Sequence, residues 1–153
     1  MLKRLKNLFA SSSNETDEED LFLIPSAAAI LLYEVAWADH DISKDEIDHV
    51  EAALSKLFDL TKEQVSEISK SAIQAQKDSI SMYSFTREIN DHFNAGQKYE
   101  LVLAMWRLAL ADEDIHKYEE HTIRNIAELL YISHKDFILS KLQAKKLQAY
   151  PEL

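Results

Sequence analysis

Six carboxylates carry the clearest chemical signal in this chain. Trp37-Ala38-Asp39-His40-Asp41-Ile42-Ser43-Lys44-Asp45-Glu46 recurs 73 positions later as Leu110-Ala111-Asp112-Glu113-Asp114-Ile115-His116-Lys117-Tyr118-Glu119. Each copy offers two aspartates two residues apart and a later glutamate: Asp39, Asp41 and Glu46, then Asp112, Asp114 and Glu119. Carboxylates so spaced on a turn can converge on a hard divalent cation, with the glutamate closing the shell. The spacing is not that of an EF-hand. The sixth loop position, which should be Gly, is Lys44 or Lys117, and the twelfth, which should be Glu, is Val50 or Ile123. The same side chains have a second use, because acidic residues before and within a first helical turn accept bonds from orphan N–H groups and suit the helix dipole.

Other chemistry has less support. The six histidines, His40, His49, His92, His116, His121 and His134, form no His-x-x-x-His zinc pair, although His116 and His121 flank Glu119 and Glu120. There is no Gly-x-Ser-x-Gly elbow and no His-Glu-x-x-His. Cysteine is absent, which excludes disulfides, thiolate metal sites and thiol nucleophiles. The single glycine, Gly96, excludes a glycine-rich phosphate loop. The aromatic residues Trp37, Trp106, Tyr83, Phe85, Phe93 and Tyr131 fall at helical spacing and read as core.

The elements that must position the carboxylates are helices. Leu, Ala, Glu, Lys and Ser dominate, and scarce glycine argues against hairpins and bulges. At 153 residues the chain forms one domain. Met1–Phe9 is a basic amphipathic segment, with Leu2, Leu5, Leu8 and Phe9 on one helical face and Lys3, Arg4 and Lys6 elsewhere. It is too short to span a bilayer and would give at most a weak foothold on an anionic membrane. Ala10–Asp20, serine-rich and then acidic, reads as a linker, so residues 1–20 are set apart from a helical domain over 21–153.

Within that domain Pro25 and Ser26 mark a helix start, and Ala27–Ala38 is apolar nearly all round, interrupted by Glu34. Ser43-x-x-Glu46 opens the next helix as a capping box, followed by Ile47, Val50, Leu54 and Leu57 on one face. Thr61 opens a third helix with Val65, Ile68, Ala72 and Ala75 inward, ending in a break over Lys77–Ser81. Met82, Phe85, Ile89 and Phe93 mark a fourth helix, for which Gly96 is placed as a left-handed C-terminal cap. Gln97–Ala111 is the second apolar helix, interrupted by Arg107. Tyr118–Tyr131 follows, and Ser133 caps a last helix to about Gln148. The fold class expected is all-α: one compact bundle of about seven helices with an internal pseudo-twofold repeat. Glu34 and Arg107 align within the repeat, which leaves two readings open: the charges pair across the pseudo-axis, or each reaches the rim on its own.

The net charge is −10, with +3 on the first nine residues and −5 on residues 14–20. A body this acidic repels phosphate backbones, so nucleic acid is excluded as a partner in favour of cations or a basic protein surface.

At these residues the chain resembles the TerB family, the tellurite-resistance helical domains. The resemblance rests on Ala-Asp-x-x-Ile with a later Glu in both copies, on Phe85-Thr86-x-x-Ile89-Asn90, and on Trp106-Arg107-x-Ala109-x-Ala111-Asp112. Tyr118-Glu119-Glu120-His121, Ile123-Arg124 and Ala127-Glu128-Leu129-Leu130 extend it, over about Ser26 to Lys141. It implies a helical bundle without catalytic activity, linked to tellurite and other chemical stress, acting with membrane proteins and metals. The chain departs from the family where a turn glycine often follows the aspartate, carrying His40 and Glu113. The His-Pro-Asp tripeptide of a J domain, which accompanies a similar domain in co-chaperones, is absent.

The function expected is therefore a non-enzymatic, cytoplasmic and membrane-associated stress-response module. It would bind a protein partner, with a membrane protein as candidate, and a divalent cation through Asp39, Asp41, Glu46, Asp112, Asp114 and Glu119. Two alternatives are a metal-assisted hydrolase using the same carboxylates, and an interaction scaffold with no ligand.

Overall fold

Two helices apolar on nearly every side organise the molecule. The computed structural model describes residues 17–36, 42–77, 82–111 and 117–149. They form seven α-helices: α1 (Asp17–Ala36), α2 (Lys44–Leu57), α3 (Lys62–Lys77), α4 (Met82–His92), α5 (Ala95–Leu110), α6 (Lys117–Leu129) and α7 (His134–Ala149). From Ser26 to Ala36 every residue of α1 is buried except Glu34, and from Leu101 to Leu110 every residue of α5 is buried except Ala104 and Arg107. A helix without a polar face has to be wrapped. Accordingly α1 packs against α2, α3, α4, α5 and α6, while α5 packs against α7, α6, α2 and α1. The amphipathic helices α2, α3, α4 and α6 supply one apolar face each, with Val50 and Leu54, Val65 and Ile68, Phe85 and Ile89, and Ile123 and Ile126 buried.

Polar contacts pin these packings. The Tyr33 hydroxyl of α1 hydrogen-bonds the Ser69 hydroxyl of α3, and burial pushes the Tyr33 phenol up to about 12 although that bond acts in the other direction. Gln76 Nε2 on α3 donates to the Ile30 carbonyl at 3.0 Å. Trp106, fully buried on α5, meets Phe137 of α7 with ring centroids 5.3 Å apart. The Lys141 ammonium sits 5.2 Å from the Trp106 ring centroid, a cation–π contact between the same two helices.

Helix ends are closed by local sequence and, where glycine is lacking, by neighbours. Ser43 and Glu46 form the capping box of α2, and Thr61 and Gln64 exchange the equivalent bonds at the start of α3. At the other ends, Gln148 Nε2 donates to Leu110 O at 2.6 Å, and Asn90 Nδ2 donates to Leu129 O at 2.9 Å. The last carbonyls of α5 and α6 are thus satisfied by amide side chains from other helices.

Three expectations need correction. First, α1 begins eight residues before Pro25, taking in Asp17–Asp20 of the stretch read as linker. Pro25 is accommodated inside the helix. Second, Gly96 does not cap α4. It lies in the first turn of α5, which opens with the capping box Asn94-x-x-Gln97, and it has no positive φ. Third, Tyr131 is not core. It takes the left-handed conformation (φ 59°) in a Schellman closure of α6, where Ile132 N donates to Ala127 O and Tyr131 N to Glu128 O. That geometry turns its ring outward, to 82% exposure, with the Lys98 ammonium 5.9 Å from its centroid. Of the two readings for Glu34 and Arg107, pairing is not observed: neither belongs to an ion pair among the described residues.

The placement of Gly96 has a testable consequence. A Cβ there would meet only Asn94 Oδ1, at 3.4 Å. Gly96→Ala is expected to raise the unfolding free energy by about 0.4–1 kcal/mol, read from the urea midpoint at constant slope. A loss of stability would mean that Gly96 occupies a left-handed cap instead.

Candidate functional site

The repeat survives as structure in the described residues. The helix after the first acidic turn opens at Lys44 and the helix after the second opens at Lys117, the same 73-residue offset that relates the sequences. Glu46 and Glu119 therefore hold the same third position of their helices. Each unit is a buried helix (α1 or α5), an acidic stretch and an amphipathic helix (α2 or α6).

The two glutamates differ in what surrounds them. Glu46 serves its own helix: Ser43 N and Ser43 Oγ donate to Glu46 Oε1 at 3.3 and 3.2 Å, and Glu46 N donates to Ser43 Oγ at 3.1 Å. Glu119 is buried, at 7% exposure. A carboxylate so far out of water is costly to hold charged unless something compensates it. Asp39, Asp41, Asp112 and Asp114 lie outside the described residues, as do His40, His116 and Trp37. Among the described residues no group of three or more His, Asp or Glu side chains could hold a metal ion.

The remaining histidines are accounted for locally. His49 Nδ1 lies 2.6 Å from Asp45 O, and His92 Nδ1 lies 2.9 Å from Glu88 O and 3.6 Å from Glu88 Oε2. Burial raises the Glu88 carboxyl above its usual range, and the His92 charge opposes that shift. His121 and His134 are exposed.

Beside Glu119, Glu120 does a different job. Its Oε1 accepts from Lys141 Nζ at 2.6 Å, tying α6 to α7, and this bond holds the Glu120 carboxyl below its usual range. Arg124 on α6 lies over the Phe137 ring, 4.8 Å from its centroid. Trp106, Phe137, Lys141, Glu120 and Arg124 thus lock α5, α6 and α7 around the helix start that carries Glu119.

A second feature was not anticipated. A cavity of about 620 Å³ opens between α2, α5 and α7, with Lys56, Glu100, Ala104, Arg107 and Leu147 in its lining. On the α5 side, Glu100, Ala104, Arg107 and the C-cap residue Ala111 follow one another at one-turn spacing, and all four line the cavity. No helix of the described residues is long and apolar enough to cross a membrane.

A family model described as "Tellurite resistance protein TerB" matches residues 25–142, and the chain belongs to that family. No curated protein and no solved structure matches it.

The Glu120–Lys141 bond makes a pH prediction. Because the folded carboxyl is depressed relative to the unfolded chain, its stabilisation is full above the unfolded carboxylate range and is lost as pH falls through the folded value. Both side chains are partly exposed, so the contribution is below about 1 kcal/mol. Glu120→Gln is expected to lower the urea midpoint at pH 7 and leave it unchanged at strongly acidic pH. An equal loss at both would show that the carboxylate charge is not what matters.

Proposed function

We propose that this TerB-family domain is a non-catalytic binding module of a chemical-stress response, with tellurite among the stresses, that engages a protein partner beside the membrane. Its two acidic turns are the binding surface, and a divalent cation is their ligand. One observation carries this reading: two helices, α2 and α6, open at the same register of a repeat, each preceded by Asp-x-Asp and each with a glutamate at its third position. Capping needs one acceptor near each helix start, and Ser43 already serves α2. At α2 that acceptor is therefore not drawn from Asp39 or Asp41, and paired oxygen donors are the ligands that calcium, magnesium or manganese take. The basic segment Met1–Phe9 would bias the module toward anionic lipid.

Isothermal titration of the full chain with calcium, magnesium, manganese and zinc tests the cation. Saturable heat is expected for at least one of them, and it should vanish when Asp39, Asp41, Asp112 and Asp114 are all replaced by Asn. Flat heats at millimolar metal for the unaltered chain remove the cation from the account. The same fourfold variant is expected to lose tellurite tolerance and capture of its membrane-fraction partner. Full retention of both would leave a scaffold whose turns bind nothing.

A further inference from the structure

We propose that the groove between α2, α5 and α7 binds a single-chain amphiphile with an anionic head, of the long-chain carboxylate class. The groove is where the wrapping of α5 fails. Between Leu101 and Leu110 only Ala104 and Arg107 escape burial, and both line this cavity. Its floor is short, Ala104 and Ala144, and its walls are the half-buried Leu57 and Leu147, which pack against the main core. The volume, about 620 Å³, is that of a small-molecule site.

The charged groups in this lining are two cations, Arg107 and Lys56, against one carboxylate, Glu100; His49, Gln143 and Gln148 are its other polar side chains. Arg107 and Lys56 both line it, both are exposed, and neither takes part in an ion pair or a ring contact among the described residues. This is unexpected in a chain of net charge −10, where carboxylates outnumber Lys and Arg by 27 to 17. Glu100 is the one carboxylate in the lining. The two amides present are engaged: Gln148 donates to Leu110 O, and Gln143 accepts from the Tyr99 hydroxyl at 2.6 Å. An apolar trough with two cations that have no ion-pair partner among the described residues matches a ligand with a hydrocarbon body and one negative end.

Shape selects the body. A helix about 10–12 Å across fills such a volume with roughly a single turn, too little for a helical peptide to gain a foothold. An extended peptide would lay backbone amides on alanine and leucine, where they find no partners. An alkyl chain lies along the trough and brings no polar group to satisfy.

The test titrates full-length protein with sodium dodecanoate below its micellar range, against dodecyltrimethylammonium, which has the same chain and the opposite charge. Saturable binding of one dodecanoate is expected, with the cationic amphiphile weaker by tenfold or more. Arg107→Glu and Lys56→Glu, both surface changes, should each weaken dodecanoate by about tenfold, the loss of one charge-assisted contact. Ala104→Met, which fills the floor, should abolish binding while circular dichroism stays unchanged. If Ala104→Met misfolds, methyl chemical shifts of the unaltered chain replace it, and dodecanoate should move Ala52, Ala104 and Leu147. No binding, equal binding of both amphiphiles, indifference to the charge variants, or shifts confined to the outer α7 residues Ile138 and Leu142 would each overturn the proposal.

Discussion

The constraint on which the whole molecule depends is that α1 and α5 have almost no face they can show to water. Fully burying a Leu, Ile or Val side chain contributes about 1.5–3 kcal/mol, and these two helices place most of theirs at zero or near-zero exposure. Neither could persist alone. Each is stable only while the amphipathic helices lie against it, so the acidic stretches between α1 and α2 and between α5 and α6 are tied to the burial of what precedes them. The repeat is thus a packing unit before it is a functional one: a helix to be buried, and a helix to help bury it.

Glycine scarcity shapes how the wrapping is closed. Helices commonly end on a left-handed glycine, and this chain has a single glycine, which lies in the first turn of α5. Two substitutes appear. Gln148 and Asn90 carry amides across to the last carbonyls of α5 and α6, and Tyr131 adopts the left-handed conformation itself at some cost in strain. The amide caps are long-range bonds, and they convert helix termination into tertiary structure. The Trp106, Phe137, Lys141 and Glu120 contacts act on the same three helices, so the second half of the molecule is held from its ends and its middle at once.

Much of this was legible from residue patterns. Ser43-x-x-Glu46, Thr61 and Ser133 announced helix starts that the structure places within a residue, because capping is decided by side chains three positions apart. The inward faces of α2 and α3 followed from apolar spacing for the same local reason. What failed was every inference that needed a neighbour or a competing cap. Gly96 looked like an ending, yet Asn94 and Gln97 made the same spot a beginning. Tyr131 looked like core until the Schellman closure turned it outward. The alignment of Glu34 and Arg107 left their pairing open, because alignment fixes register and not distance. The groove depends on where three separate helices leave a gap, which no single stretch encodes. Of the candidate site, Glu46 and Glu119 are placed at matching helix positions, and the four aspartates lie outside the described residues.

If burial of α1 and α5 is what the rest depends on, the two must open together and last. Native-state amide hydrogen exchange reads this residue by residue. The amides of Ile30–Val35 and Val102–Leu108 are expected to exchange only through global unfolding, with equal free energies that match the urea value. Amides of α2, α3, α4 and α7 should exchange at lower cost. Exchange of α1 or α5 through a cheaper local opening, while a peripheral helix stays protected, would contradict the account.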